Sequence, residues 1–280
     1  MPAPETVRAV ATDVDGTILP SRQPVSAATV DAARSLHAAG IPLIIASARV
    51  PPIDRISVLH PYIEIAVCSN GSIGYQPSSG DQLWRQDIPA ETVAYAVKII
   101  SALLPDAGIG TRDRRSWTLN EQFHPARGFW PSTDYRVGAL ADLVTVTSSA
   151  MAVCHPTIPA PRIHGMLLEA GLGPDLITMS SGGQDILDLV APGVDKASGL
   201  RRACELLEID PDDVVAFGDA TNDVPMFRLV GHAVAMGNAW EDARAAADAV
   251  TTSVDEDGFA AYLGRLGLVP TEGDSCAESS

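Results

Sequence analysis

The amino-acid sequence predicts an α/β protein, in which a Rossmann-like, doubly wound parallel sheet is interrupted by an inserted α/β domain. Three observations lead to this prediction. Short apolar runs alternate with helical patterns over the first eighty residues and again from about residue 195. The section between them has a mixed strand and helix character. The length of 280 residues also fits about two domains.

In the parallel-sheet domain, strands are predicted where an apolar run stops at polar residues, as buried parallel strands do. The predicted strands span residues 7–12, 41–46, 64–67, 214–217 and 233–235. Helices are predicted where apolar residues recur at helical spacing or where a capping residue such as Ser26 precedes the run. The predicted helices span residues 26–39, 197–207, 222–230 and 239–247, and a short helix follows the Pro51-Pro52 pair.

The insertion is predicted to begin after a linker at residues 77–81, whose sequence is PSSGD. A strand at 83–88 and a helix at 90–104 are predicted to follow the linker. The predicted divisions are a parallel-sheet domain at 1–78 and 190–268, an inserted α/β domain at 79–189, and a disordered acidic tail at 269–280.

Composition and charge exclude several classes of protein. A hydrophobic content of 46% with 19% charged residues is typical of a globular protein. The formal net charge of -16, with only 19 lysines and arginines, argues against nucleic-acid partners and anionic membrane surfaces. The sequence contains no signal-peptide pattern, membrane-length apolar run or CxxC motif, so we expect a cytoplasmic protein. The sequence leaves the oligomeric state open.

Acidic residues follow two of the predicted strands, at the strand ends where parallel sheets bind their ligands. Asp13 and Asp15 follow the first strand and would share a face if the strand geometry continued. Asp219 and Asp223 follow the fourth strand. Each pair alone has a simpler explanation, an acidic turn or a helix N-cap. Two acidic strand ends in one sheet repel each other unless a cation neutralises them, and Mg²⁺ prefers carboxylate oxygens.

Two further residues could bind an anion beside these acids. Ser47 follows the second strand and offers a hydroxyl and a backbone N–H to an anion. Lys196 is one of only two lysines in the chain and precedes a predicted helix, where its charge opposes the helix dipole. An anionic partner would explain this placement, and a solvated surface lysine is the alternative.

The order of these motifs resembles the haloacid dehalogenase (HAD) superfamily, and within it the Cof-type phosphatases with a type IIB α/β cap. The motif DVDGT, an apolar strand ending in Ser47, Lys196 and the motif GDATND follow one another in the family's order. Further matching stretches are residues 69–71, 188–196 and 233–239. The resemblance covers the core, about residues 7–75 and 186–262. One departure is Ser47-Ala48-Arg49, where the family often has Thr-Gly-Arg.

The resemblance implies a Mg²⁺-dependent phosphatase that hydrolyses a small phosphorylated metabolite, a sugar phosphate or similar phosphomonoester, through an aspartyl-phosphate. It implies that Asp13 is the nucleophile and that Asp15 is the general acid and base. It implies that the Asp13 carboxylate, the Asp15 carbonyl and Asp219 hold Mg²⁺. It also implies that Asp223 orients the catalytic Lys196. The residues implied to bind phosphate or substrate are Gly16, Thr17, Ser47, Ala48, Lys196 and Asn222. A phosphomutase with the same chemistry and a non-catalytic phosphometabolite sensor are the alternatives.

The inserted domain, which in such enzymes is a cap, is expected to select the substrate. Residues 112–136 contain five arginines and five aromatic residues. The hypothesis is that some residues of this stretch face the site; the candidates are Arg112, Arg114, Arg115, Trp117 and His124. Ordinary domain core with a solvated basic edge is the alternative interpretation.

Overall fold

The computed structural model describes residues 6–123, 135–144, 147–183 and 185–270. The chain divides into two compact units, Met1–Leu83 with Lys196–Ser280, and Trp84–Asp195. The strands in chain order are β1 (Ala9–Thr12), β2 (Leu43–Ala46), β3 (Ile63–Cys68), β4 (Ile73–Gln76), β5 (Asp81–Arg85), β6 (Gly108–Arg112), β7 (Trp117–Leu119), β8 (Tyr135–Val137), β9 (Ala150–Cys154), β10 (Thr178–Ser180), β11 (Leu187–Val190), β12 (Val214–Gly218), β13 (His232–Ala235) and β14 (Ala249–Val250). The α-helices are α1 (Ala27–Ala38), α2 (Ala90–Leu103), α3 (Ala160–Glu169), α4 (Lys196–Leu207), α5 (Val224–Phe227), α6 (Glu241–Ala246) and α7 (Gly258–Arg265).

The first unit is built on a sheet with the strand order β14-β13-β12-β1-β2-β3-β4-β5. The strands from β14 to β3 run parallel, and β4 pairs antiparallel with β3. Every residue of β1, β2, β12 and β13 is buried, because a parallel sheet covered by helices has no solvent face. Among the helices of this unit, α1 packs against α7 and α4 packs against α5. The predicted parallel α/β architecture is therefore confirmed.

The boundaries of the first helix follow the capping signals in the sequence. The predicted cap is confirmed, since the Ser26 hydroxyl accepts a hydrogen bond from the Thr29 N–H at 3.1 Å. Gly40 follows the helix with a φ of +69°, a conformation that costs glycine little. The 3-10 segment Asp54–Tyr62 then follows the Pro51-Pro52 pair, as predicted.

The second unit contains a six-stranded sheet with the order β10-β11-β9-β6-β7-β8. Neighbouring strands are antiparallel except for β7 and β8. The helices α2 and α3 belong to this unit, and α3 packs on β11. This composition agrees with the α/β insertion that the sequence predicts.

Local elements differ from the predictions in three places. The predicted linker at 77–81 is wrong, because a turn at 77–80 joins β4 to β5, which are neighbours in the first sheet. The predicted strand at 83–88 is displaced to β5, and Ile88 instead makes an isolated bridge to Ser148. The predicted helix at 222–230 is a 3-10 turn followed by the four-residue α5.

Some predictions fall on residues that the structure does not describe. These are His124 and most of the predicted acidic tail, from residue 271 onward. Within the described ranges, none of the helices has both the length and the apolar character needed to cross a membrane. The three described cysteines, Cys68, Cys154 and Cys204, are buried and form no disulfide with one another.

Candidate active site

Three loops that carry predicted site residues start at the same edge of the first sheet. β1 lies between β12 and β2, and all three strands are parallel. Their registers pair Thr12 with Phe217 and with Ile45, so the three strands end at nearly the same level. The chain leaves β1 at Asp13, β2 at Ser47 and β12 at Asp219. The strand order therefore brings these residues together.

Lys196 joins two of these loops. Its side chain is only 1% exposed, and its Nζ donates hydrogen bonds of 2.6 Å to Asp13 Oδ1 and of 2.6 Å to Asp223 Oδ1. Burial alone would lower the pKa of Lys196, but the charges and hydrogen bonds of Asp13 and Asp223 raise it above its ordinary value. The lysine is thus held as a buried cation between the two carboxylates.

Asp223 is fixed by three hydrogen bonds. Besides Lys196, its carboxylate accepts bonds from the backbone N–H groups of Asp219 at 3.0 Å and Ala220 at 2.9 Å. Gly218 makes room for this carboxylate, since a Cβ at that position would lie 2.6 Å from Asp223 Cγ. Asp223 therefore has the geometry of a residue that orients Lys196 and stabilises the turn after β12.

Asp219 lies on the loop that follows Gly218 and is held by the loop after the neighbouring strand β1. Thr17 Oγ1 donates a hydrogen bond of 3.1 Å to Asp219 Oδ1. Gly16 has a φ of +81°, and a Cβ there would collide with Asp219 Oδ2, so this position requires glycine. The loops after β1 and β12 are therefore in direct contact through the predicted residues Gly16 and Thr17.

The three buried carboxylates form a group that can hold a metal ion. Asp13, Asp219 and Asp223 offer oxygens that all lie within 4.8 Å of one another. Burial raises the pKa of Asp13 well above its usual range against the opposing charge of Lys196. Burial and the charge of Asp223 raise the pKa of Asp219 to about 7. Carboxylates held in this way favour a hard cation such as Mg²⁺ as a neutralising partner.

The side chain of Asp15 lies outside this carboxylate group. β1 ends at Thr12, so the strand alternation that would place Asp13 and Asp15 on one face does not continue. The Asp15 carboxylate is 48% exposed and accepts two hydrogen bonds from Arg49, of 2.6 and 2.7 Å. If Asp15 binds a metal ion at this site, its backbone carbonyl is the group available.

The remaining predicted core residues lie on the loops after β2 and β12. The Ser47 side chain is buried, and its Oγ accepts a bond of 3.1 Å from the Arg49 N–H, which leaves its hydroxyl proton to donate. Ala48 is half-buried on the same loop. Asn222 donates from Nδ2 to Asn70 Oδ1 at 3.2 Å, and its own buried Oδ1 has no hydrogen-bond partner in the described structure. Asn222 is therefore held with an acceptor unused.

Asn70 and Asn238 also support the site, although their sequence positions alone predict no role for them. Asn70, with a φ of +51°, comes from the turn after β3. Asn238 Nδ2 donates to the Gly16 carbonyl at 2.8 Å, and its Oδ1 accepts from Val254 N–H at 2.9 Å. The available signals were the Ser69-Asn70-Gly71 turn and the family-like stretch at 233–239. Neither signal indicates which backbone group the amide binds.

The candidate residues of the second unit have different environments. Arg112 and Trp117 are buried, with 8% and 4% exposure, on β6 and β7. Arg114 and Arg115 are exposed in the turn between these strands, where Asp113 accepts bonds from the N–H groups of Arg115 and Ser116. Burial of Trp117 within its own unit agrees with the alternative interpretation, in which this tryptophan belongs to the domain core.

Comparisons with known proteins agree with this arrangement. The profile of the haloacid dehalogenase-like hydrolase family matches residues 10–263. Phosphatase YwpJ of Bacillus subtilis is 27% identical over 93% of this chain and 100% of its own length. Pyridoxal phosphate phosphatase YbhA of Escherichia coli is 25% identical over 92% of this chain and 98% of its own length. These matches confirm the family that the motif order predicted.

The solved structure of the HAD subclass IIB sugar phosphatase BT4131 superposes with a TM-score of 0.82 and 22% identity, covering 94% of this chain and 100% of that one. This likeness confirms the fold. Phosphatase relatives with 45–48% identity align over only 68–82 residues and 30–32% of their own length.

Proposed function

The chain belongs to the haloacid dehalogenase-like hydrolase family, and we propose that it is a Mg²⁺-dependent phosphatase of a small phosphorylated metabolite. The observation that carries this proposal is the position of Lys196. Its Nζ lies 2.6 Å from Asp13 Oδ1 and 2.6 Å from Asp223 Oδ1, at the strand ends where Asp219 also lies. A buried cation beside a carboxylate can hold a phosphoryl group next to a nucleophile, and phosphoryl transfer depends on such positioning.

In the proposed reaction, Asp13 attacks the phosphorus atom through a carboxylate oxygen. The bond from phosphorus to the ester oxygen breaks, the leaving oxygen takes a proton from Asp15, and an aspartyl-phosphate forms. A water molecule then attacks the phosphorus and gives its proton to Asp15, which restores the Asp13 carboxylate and releases inorganic phosphate. Lys196 and the Ser47 hydroxyl donate hydrogen bonds to the phosphoryl oxygens during both steps.

The donor set fits Mg²⁺. Both Asp223 oxygens accept hydrogen bonds, whereas Asp13 and Asp219 each have one carboxylate oxygen without a hydrogen bond from the described part of the chain. We propose Asp13, Asp219 and the Asp15 carbonyl as the protein ligands. When bound, Mg²⁺ would neutralise the carboxylates and the phosphoryl oxygens. Excess chelator is expected to abolish turnover, and full activity in chelator would contradict this part of the proposal.

A sugar phosphate or similar phosphomonoester is the proposed substrate class. It is supported by the names of two similar proteins, a sugar phosphatase and a pyridoxal phosphate phosphatase. A phosphomutase would use the same first step but return the phosphoryl group to the sugar, so released phosphate distinguishes the two activities from each other.

The test is phosphate release from a panel of metabolite phosphates, with Mg²⁺ and with excess chelator. We expect Mg²⁺-dependent release that is lost in both Asp13→Asn and Asp15→Asn. Asp31→Asn is the matched control, because Asp31 is an exposed aspartate that pairs only with Arg34 in the described structure. A wild-type protein inert across the panel would favour a sensor, and isomer formation without phosphate release would favour a mutase.

A further inference from the structure

Arg49 and Asp15 form an ion pair with two parallel hydrogen bonds. Arg49 Nε donates to Asp15 Oδ2 at 2.6 Å, and a terminal guanidinium nitrogen donates to Asp15 Oδ1 at 2.7 Å. The two side chains are 28% and 48% exposed. Such forked pairs fix the plane of the carboxylate as well as its distance, which a lysine at the same place cannot do.

The backbone of Arg49 is itself fixed. Its N–H donates to Ser47 Oγ at 3.1 Å, and its carbonyl accepts from the Ser69 N–H at 2.8 Å. Burial alone would lower the pKa of Arg49, but the hydrogen bonds and charge of Asp15 raise it. The charged guanidinium therefore projects from a residue whose backbone N–H and carbonyl are both held by hydrogen bonds.

Asp15 depends on this arginine for its orientation. Within the described residues, Arg49 is the only side chain that hydrogen bonds to the Asp15 carboxylate. Without Arg49, a half-exposed aspartate on a loop would exchange between rotamers in solvent. Asp13 needs no such support, because it is buried and bonded to Lys196.

We propose that Arg49 is a positioning residue for the acid and base of the reaction, Asp15; this inference rests on the proposed phosphatase function. In the forked pair both Asp15 oxygens accept a hydrogen bond from Arg49, which fixes the position and plane of the carboxylate for the proton transfer from water in the second step. To protonate a leaving group in the first step, Asp15 must release at least one of the two bonds. Arg49 thus acts mainly on hydrolysis of the aspartyl-phosphate.

The test compares Arg49→Ala with the wild type on p-nitrophenyl phosphate and on an alkyl phosphate. Nitrophenolate leaves without a proton, so its release reports aspartyl-phosphate formation independently of Asp15. We expect turnover of p-nitrophenyl phosphate to fall on the order of tenfold to a hundredfold, with a new burst of about one nitrophenolate per active site. The alkyl phosphate should lose less, because its first step uses Asp15 as the acid after at least one bond to Arg49 has been released.

Four controls separate positioning from a structural role. Arg34→Ala removes the other exposed Arg–Asp pair of this unit, with Asp31 at 2.5 Å, and should leave kinetics unchanged. Added guanidinium ion should restore part of the Arg49→Ala turnover, and Arg49→Lys should restore less than the wild-type rate. The double variant with Asp15→Asn should be no slower than Asp15→Asn alone.

The outcomes distinguish this inference from the function on which it rests. A wild-type protein without phosphatase activity overturns both. An active wild type, combined with additive losses in the double variant or with equal losses on both substrates and no burst, overturns the role of Arg49 alone. Equal losses on both substrates without a burst would mean that Arg49 supports phosphate binding or the fold of the loop.

Discussion

The substitution Gly199→Ala adds one methyl group to α4 and should displace Lys196 within the site. An ideal Cβ at Gly199 would lie 2.7 Å from Gly71 Cα, and closer still to a methyl group of Val67. Ordinary carbon–carbon contacts are about 3.5–4.0 Å, so Gly199→Ala must move α4 or the turn after β3 by about 1 Å. Lys196 begins the same helix three residues earlier.

The expected losses follow from this displacement. A rigid shift of about 1 Å along the bond would lengthen the 2.6 Å contact from Lys196 to Asp13 to about 3.6 Å, which is no longer a hydrogen bond. Misplacement of that size lowers kcat/KM by on the order of 10²-fold. Overpacking should also lower the free energy of unfolding by about 1–3 kcal/mol, offset by up to about 1 kcal/mol because alanine favours the helix.

The assay is kcat/KM for phosphate release together with urea unfolding. Gly165→Ala is the matched control, since Gly165 lies inside α3 and nothing lies within 4 Å of its added Cβ. It should keep wild-type kinetics and gain about 0.5–1 kcal/mol of stability. Wild-type kcat/KM in Gly199→Ala would refute the argument that contact between α4 and the turn at Gly71 sets the position of Lys196.

Three other predictions concern charge and specificity. Asp223→Asn should lower kcat on the order of 10²-fold in steady-state assays, because Lys196 loses the carboxylate that orients it; unchanged kcat would contradict this. The pKa of Asp219 is raised to about 7 in the metal-free protein, so Mg²⁺ must displace a proton below that pH. Mg²⁺ affinity measured by calorimetry should therefore fall as the pH drops below 7, and Asp219→Asn should make this dependence shallower, leaving the part that comes from the raised pKa of Asp13. If exposed arginines of the second unit choose the substrate, Arg114→Ala should reorder kcat/KM across a panel of phosphate esters, and an unchanged order would reject that role.

The parallel sheet was predictable because each strand is a short, apolar run that ends abruptly. β1, β12 and β13 are buried throughout and apolar except for Thr12 at the end of β1 and His232 at the start of β13, and an acidic residue follows β1 and β12 directly. The same rule located Asp13 and Asp219, because ligand sites of parallel sheets follow the carboxyl ends of strands. The location of the site could therefore be inferred from strand boundaries, and its proposed chemistry from the order of the motifs.

The edge of the sheet was not predictable in this way. β4 pairs antiparallel with β3, and β5 lies at the edge of the sheet. Both strands contain polar and partly exposed residues, and the short turn between them has the composition of a linker. The place of β4 in the sheet depends on its pairing with β3, and the place of β5 depends on its pairing with β4, which local patterns do not encode. The partners of Arg49 and Asn238 were missed for a related reason. Each binds a group 34 or 222 residues away in the chain, so its role becomes visible only in the folded structure.

The acidic character of the protein is compatible with the proposed anionic substrate because of the balance of charges at the site. Three ionised carboxylates and Lys196 would leave a local charge of about minus two, and burial together with the neighbouring carboxylates raises the pKa of Asp13 and of Asp219. A divalent cation would cancel that charge, and only then could a phosphoryl dianion approach Asp13 without strong repulsion. Asp15 contributes little to this balance, since Arg49 neutralises it outside the group. The net charge of -16 therefore disfavours nucleic-acid partners without excluding a phosphorylated substrate.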